Sequence, residues 1–177
     1  MATLLSNSFA PQSGELRHGF QVAGLSLVPA SRVLTEVIAQ AEVFAVPKSS
    51  TALMGVMNLR GTIVPLFDPQ LLGKPQSHIT PSKRHALVFD REDQSMGLLL
   101  DSDPELMSLV PAAGQHSKPD SVLADYLTCP WMRPDQPQHL WWELNHRAAF
   151  KFLARRHNTL SQSASTPTAT HQFEVIQ

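Results

Sequence analysis

Cysteine is nearly missing from this chain. Cys129 is the only one in 177 residues, so no internal disulfide can staple the fold. An excess of charge of either sign is missing too. Fourteen Lys and Arg stand against 15 Asp and Glu, which leaves no global field to draw the chain onto nucleic acid or anionic lipid. Long apolar runs are absent, since no window approaches the roughly 18 consecutive apolar residues of a membrane span. The opening "MATLLSNSFAPQSGELR" has neither the basic start nor the apolar stretch of an export signal. These absences together predict a soluble cytoplasmic protein long enough to bury a real core.

What the chain has instead is proline, 14 in all, set among short runs of Val, Leu and Ile broken by Pro, Gly, Ser and Asp. That pattern predicts β-strands joined by turns, because interior proline breaks helices but suits loops and edge strands. Ten strands are expected: 19–23, 24–28, 34–40, 42–46, 54–58, 61–67, 85–90, 96–101, 106–110 and 139–144. A helical turn is expected at "PASR", with Pro29 in a first helical position. A longer helix is expected at "NHRAAFKFLARR", capped by Asn145, with Ala149, Phe150, Leu153 and Ala154 on one face and basic residues at its end. Residues 1–17 and the Ser/Thr-rich stretch 158–177 are expected to be flexible, leaving a folded region of 18–157. A faint echo between "GLSLVPASRVLTEVI" and "GLLLDSDPELMSLVP" fits two similar small barrels better than one open sheet.

The stretch "GVMNLRGTIVPLFD", residues 55–68, places four unlike residues between two apolar runs. A hairpin connection accounts for them. Gly61 would take the left-handed position of a three-residue loop with a bulge, and Asn58 would bond to backbone just ahead of it. Leu59 and Arg60 would then project from the apex, an apolar contact beside a guanidinium able to grip a carboxylate with two bonds. In the plainer alternative Leu59 folds back onto its own barrel and Arg60 is merely solvated.

"LMGVMNLRGTIVPLFD" resembles the signature segment of the CheW-like domain, the bacterial chemotaxis coupling protein. "RVLTEVI" looks like the family's Val-x-Glu segment, and "SMGLLLDSDPELMSL" looks like its Gly-Leu-x-Val-Asp-x-Val segment. The resemblance runs over about residues 19–153, with Gly55, Asn58, Leu59, Arg60, Gly61 and Asp68 matching one by one and Glu36 at the acidic position.

It implies an all-β fold of two intertwined five-stranded SH3-like barrels with a short C-terminal helix. It also implies a non-enzymatic adaptor that couples chemoreceptor cytoplasmic tips to a CheA-type histidine kinase, with other CheW-like proteins as further neighbours. The output would be chemotaxis or pilus-based motility, with membrane association only through receptor arrays. Arg60 and Glu36 inherit a contact role, together with Asn58 and Leu59, while Leu34, Val37 and Ile38 would line an apolar groove that takes the receptor tip. Gly55 and Gly61 would shape the turn. An exposed ion pair between Glu36 and Arg60 would add little stability, so recognition explains the signature better.

Two stretches depart from the family. "DYLTCPWMRPDQPQ" replaces glycine chemistry with Cys129 and Pro130 and is expected to be an irregular loop. "HLWWELN" carries Trp141 and Trp142, one of which is expected in the core and the other exposed or facing a partner.

No catalytic or cofactor motif is evident. The eight histidines show no local metal-ligand spacing, and there is no phosphate cradle or nucleophile elbow. Asp68, Asp90 and Asp101 each end an apolar strand and are expected to form turns. No metal and no cofactor are therefore expected. The rival class is a small barrel that binds single-stranded nucleic acid, for which the basic cluster is confined to "KFLARRH".

Overall fold

The computed structural model describes residues 14–47, 50–72 and 84–155. The described residues contain ten strands and one α-helix. The chain enters through β1 (Glu15–Val22) and β2 (Leu25–Pro29), then builds β3 (Thr35–Ile38), β4 (Leu53–Leu59), β5 (Thr62–Phe67), β6 (Ala86–Phe89) and β7 (Met96–Leu99). It returns through β8 (Glu105–Pro111), β9 (Leu127–Arg133) and β10 (Gln136–Leu144), and ends in α1 (His146–Arg155). One sheet, ordered β1-β2-β10-β9-β8, closes on itself, and the other is an open five-stranded sheet ordered β3-β6-β7-β5-β4.

This overturns the expectation of two intertwined SH3-like barrels. The two sheets have five strands each, but only one is closed, and β3 to β7 form one continuous insertion between β2 and β8. The expected strand at 42–46 is the physical reason the second sheet stays open. It makes no ladder, only an isolated bridge in which Phe44 and Val56 exchange two backbone hydrogen bonds of 2.7 and 2.8 Å.

Three smaller expectations change as well. Pro29 ends β2 and starts no helix; the chain reverses at Ser31 and Arg32, the latter at φ 69°. The segment expected as a loop forms β9, with Pro130 opposite Trp142. Glu15 to Arg17, grouped above with the flexible end, belong to β1, where Arg17 is buried. The expectations for 1–13 and 156–177 lie outside the described residues.

The apolar residues collect in three clusters. One fills the closed sheet with Val28, Met107, Leu109, Trp131 and Trp141. Another lies inside the curl of the open sheet around Met57, Val64, Leu66, Val88 and Leu99. The largest joins the halves, bringing Phe20, Leu27 and Trp142 against Phe67, Leu87, Phe89 and the helix residues Phe150 and Leu153. Trp141 and Trp142 are both buried, contrary to expectation. They do point to opposite faces as adjacent strand residues must, but one face is the closed sheet's interior and the other is the joint between halves. Each fully buried Leu, Val or Phe side chain of these clusters contributes about 1.5–3 kcal/mol.

Polar contacts fix the same joint. Arg84, just before β6, donates to the Asp68 carboxylate, to Asp101 at 3.1 Å and to the Leu100 carbonyl at 3.0 Å. Asp101 in turn accepts from the Gly24 backbone N–H at 2.8 Å, in the turn between β1 and β2. Asp68 and Asp101 are thus more than turn formers: together they hold the Arg84 guanidinium, and Asp101 links that group to the closed half through Gly24. Inside the closed sheet, Arg17 pairs with Glu143 at 2.9 Å and lies 4.3 Å over the Trp131 ring.

Helix α1 forms as its sequence dictates. Asn145 Oδ1 accepts from the Ala148 N–H at 3.2 Å, a side-chain N-cap. His146, Ala149, Phe150 and Leu153 are buried at helical spacing, whereas Ala154, expected on that face, is exposed.

Candidate docking site

The β4–β5 hairpin shows why the signature reads as it does. Leu59 pairs with Thr62, so the connection is the two residues Arg60 and Gly61, one fewer than expected. Both sit at positive φ, 51° and 90°, the geometry of a tight hairpin turn that matches strand twist. Gly61 takes this conformation freely, and its N–H donates to Asn58 Oδ1 at 2.8 Å. Arg60 takes it at an energetic cost that Gly or Asn would not incur.

The arginine side chain is 74% exposed and grips Glu36 with both terminal nitrogens, Nη1 to Oε2 at 2.9 Å and Nη2 to Oε1. Glu36 lies on β3, at one edge of the open sheet, and Arg60 joins β4 to β5 at the other. The pair therefore clasps the two edges across the mouth of the curl. The bonds from Arg60 hold the Glu36 carboxyl below its ordinary pKa, and Glu36 raises that of Arg60.

Gly55 is a structural glycine within β4, not a turn residue. Its φ is 154°, and a Cβ there would come within 2.3 Å of the Phe44 carbonyl oxygen. Only glycine lets the segment around Phe44 lie across β4 and make its bridge.

The residues expected to bind partners are sorted by the strand alternation. Arg60, Asn58 and the half-buried Glu36 reach the surface around the hairpin. Leu59 does not project: it packs against the interior of the open sheet, as does Ile38. Leu34 and Val37 are exposed, and Val37 stands opposite Leu87, a member of the core shared by both halves.

Sequence reasoning missed a further feature. Phe44 pairs with Val56, and Val56 with Pro65, so the three side chains line up on the outer face of the open sheet. Ile63, two residues from Pro65 on that face, is 62% exposed and Phe44 53%. The alternation "T-I-V-P-L-F" contained the signal for Ile63 and Pro65, because Val64 and Leu66 face inward. Phe44 could not be placed without the bridge.

A family model described as the CheW-like domain matches residues 19–127. The chain belongs to the CheW-like domain family, whose members are non-enzymatic adaptors of chemotaxis signalling. Among solved structures, the chain resembles the scaffolding protein TtCheW from Thermoanaerobacter tengcongensis at 16% identity, with a TM-score of 0.52 over 75% of this chain and 89% of that one. At that identity the likeness is one of fold. No curated protein matches the sequence.

Among the described residues no helix is long and apolar enough to cross a membrane.

Proposed function

We propose that this chain is a cytoplasmic adaptor that docks the cytoplasmic tips of chemoreceptors and a CheA-type histidine kinase, with the Arg60–Glu36 fork as one grip. The observation that carries this reading is the conformation of Arg60. A charged residue occupies a positive-φ turn position where glycine would be free of strain, and it holds its guanidinium exposed at the end of a bidentate pair. Exposed ion pairs add little to stability, and backbone strain of this kind persists where a site uses it. The apolar row Phe44, Val56, Pro65 and Ile63 supplies desolvated area beside the fork, and Leu34 and Val37 offer more on the β3 side.

The mechanism is positional. Receptor tip and kinase are held by several modest contacts, and their combination makes the assembly durable. The test is co-sedimentation of the full chain with receptor signalling fragments and kinase. Arg60→Glu places two carboxylates against each other and is expected to lower co-sedimentation about tenfold, with the far-UV circular dichroism spectrum unchanged. Undiminished co-sedimentation of the variant would remove Arg60 from the site.

A further inference from the structure

Helix α1 carries Arg147, Lys151 and Arg155 at intervals of four, which stacks three cations along one exposed face. Cavities flank this ridge on both sides. One, of about 260 Å³, lies between the helix and the ends of β6 and β7, with Phe89, Met96 and Phe150 as its apolar lining and Arg147 and Lys151 among its walls. The other, of about 400 Å³, is lined by Tyr126 and Phe152 with Lys151 and Arg155. Lys151 borders both.

The acid in the first cavity is already matched. Asp90 is 3.2 Å from His146 Nε2 and 3.5 Å from Arg147 Nη2, and His146 stacks on Phe89 at 5.1 Å. Lys151 and Arg155 have no ion-pair partner among the described residues. Two unmatched cations therefore overhang recessed apolar surface, in a chain whose net charge is close to zero.

We propose that this face of α1 docks a short acidic segment of a protein partner, its carboxylates meeting Lys151 and Arg155 and an apolar side chain on the Arg147 side of Lys151 entering the cavity beside Phe89, Met96 and Phe150. The shape selects this occupant. A bilayer needs apolar side chains that protrude, and the large exposed apolar residues of the described regions all lie off this helix. Single-stranded nucleic acid needs aromatic faces open for stacking; here Phe89 and Phe150 are buried. An acidic peptide satisfies the cations and fills the hollow. None of these residues belongs to the Arg60–Glu36 site, so the surface adds a second contact independent of the first.

The probe is a fluorescein-labelled peptide rich in Glu and Leu, titrated with the full chain and followed by fluorescence anisotropy. Vesicles containing phosphatidylserine and an oligothymidine strand serve as the competing classes. Lys151→Glu with Arg155→Glu is expected to weaken peptide binding about tenfold or more, while Lys151→Arg retains it. Both positions are exposed, and an unchanged circular dichroism spectrum verifies folding of the double variant. Arg60→Glu is expected to leave peptide binding intact, which separates this site from the receptor and kinase reading. Equal peptide binding by native chain and double variant would overturn the proposal. So would binding of vesicles or oligothymidine in preference to the peptide.

Discussion

The two halves of the molecule solve closure differently. In the closed sheet, hydrogen-bonded neighbours run all the way round, and Val28, Leu109, Trp131 and Trp141 fill the inside. In the open sheet the edges are brought near each other by one backbone bridge at Phe44 and Val56 and by the Arg60–Glu36 clasp. The open half lies wholly within the matched residues 19–127, whereas nearly all of β9 and the whole of β10 and α1 lie beyond them. The lesson is physical. The apolar part of a closed interior tolerates substitutions that keep its total volume and pattern, which leaves its sequence room to vary. A sheet kept open needs particular residues at particular points: glycine where backbones touch, and a cation where the edges meet.

The largest expected effect breaks the joint between the halves. Trp142→Ala removes an aromatic side chain from the shared core and is expected to destabilise the fold by about 3–5 kcal/mol. Chemical denaturation measures it. All three tryptophans, Trp131, Trp141 and Trp142, lie on β9 and β10, so in the native chain intrinsic fluorescence reads the closed half and, through Trp142, the joint, while far-UV circular dichroism reads both halves. Coincident transitions are expected, because the joint makes one cooperative unit. Separate transitions would mean that the halves stand independently.

Much of this was legible before any coordinates, and the failures share a cause. Nine of the ten observed strands overlap expected ones, since apolar runs bounded by turn residues report local structure directly. The turn at Asn58 to Gly61 and the cap at Asn145 were readable because both are local chemistry. Closure was not. Whether residues 42–46 extend a ladder or make one bridge depends on what lies across from them, which period-two alternation cannot encode. The same limit hid β9: Pro130 and Pro134 argue for a loop locally, yet the neighbouring strands β8 and β10 hold that segment extended. The burial of both Trp141 and Trp142 likewise depends on there being a filled surface on each side of β10. At the candidate site, Arg60 and Glu36 were readable from the signature. The outward row through Phe44 was not, since its members come from strands far apart in sequence.

A smaller effect is expected at the bridge that stands in for closure. Gly55→Ala drives a Cβ toward the Phe44 carbonyl at a backbone angle that disfavours any side chain, a cost of about 1–3 kcal/mol. Amide hydrogen exchange is the measurement that locates it. The Phe44 and Val56 amides, which donate across the bridge, are expected to lose protection, while those of β9 and β10 keep theirs. Equal loss in both halves would show that the open sheet's edge is no weaker than the closed one.

The smallest effect concerns the clasp itself, and it is best read at the titrating group. Glu36 is held below its ordinary value of 4.5, first through its hydrogen bonds to Arg60. A carboxyl with a depressed folded-state pKa contributes stability that is present above the unfolded value and lost as pH falls through the folded one. The clasp therefore acts at neutral pH and fades only below 4.5, and because both groups are solvent-facing its share of global stability is slight. Carbon NMR of the Glu36 carboxyl is expected to show it titrating below that ordinary value in the native chain and returning toward it in Arg60→Ala. If a partner's carboxylate replaces Glu36 on the guanidinium, the same resonance moves upward on complex formation without any substitution. A Glu36 titration that ignores both Arg60→Ala and the partner would show that the two edges of the open sheet are not clasped in solution.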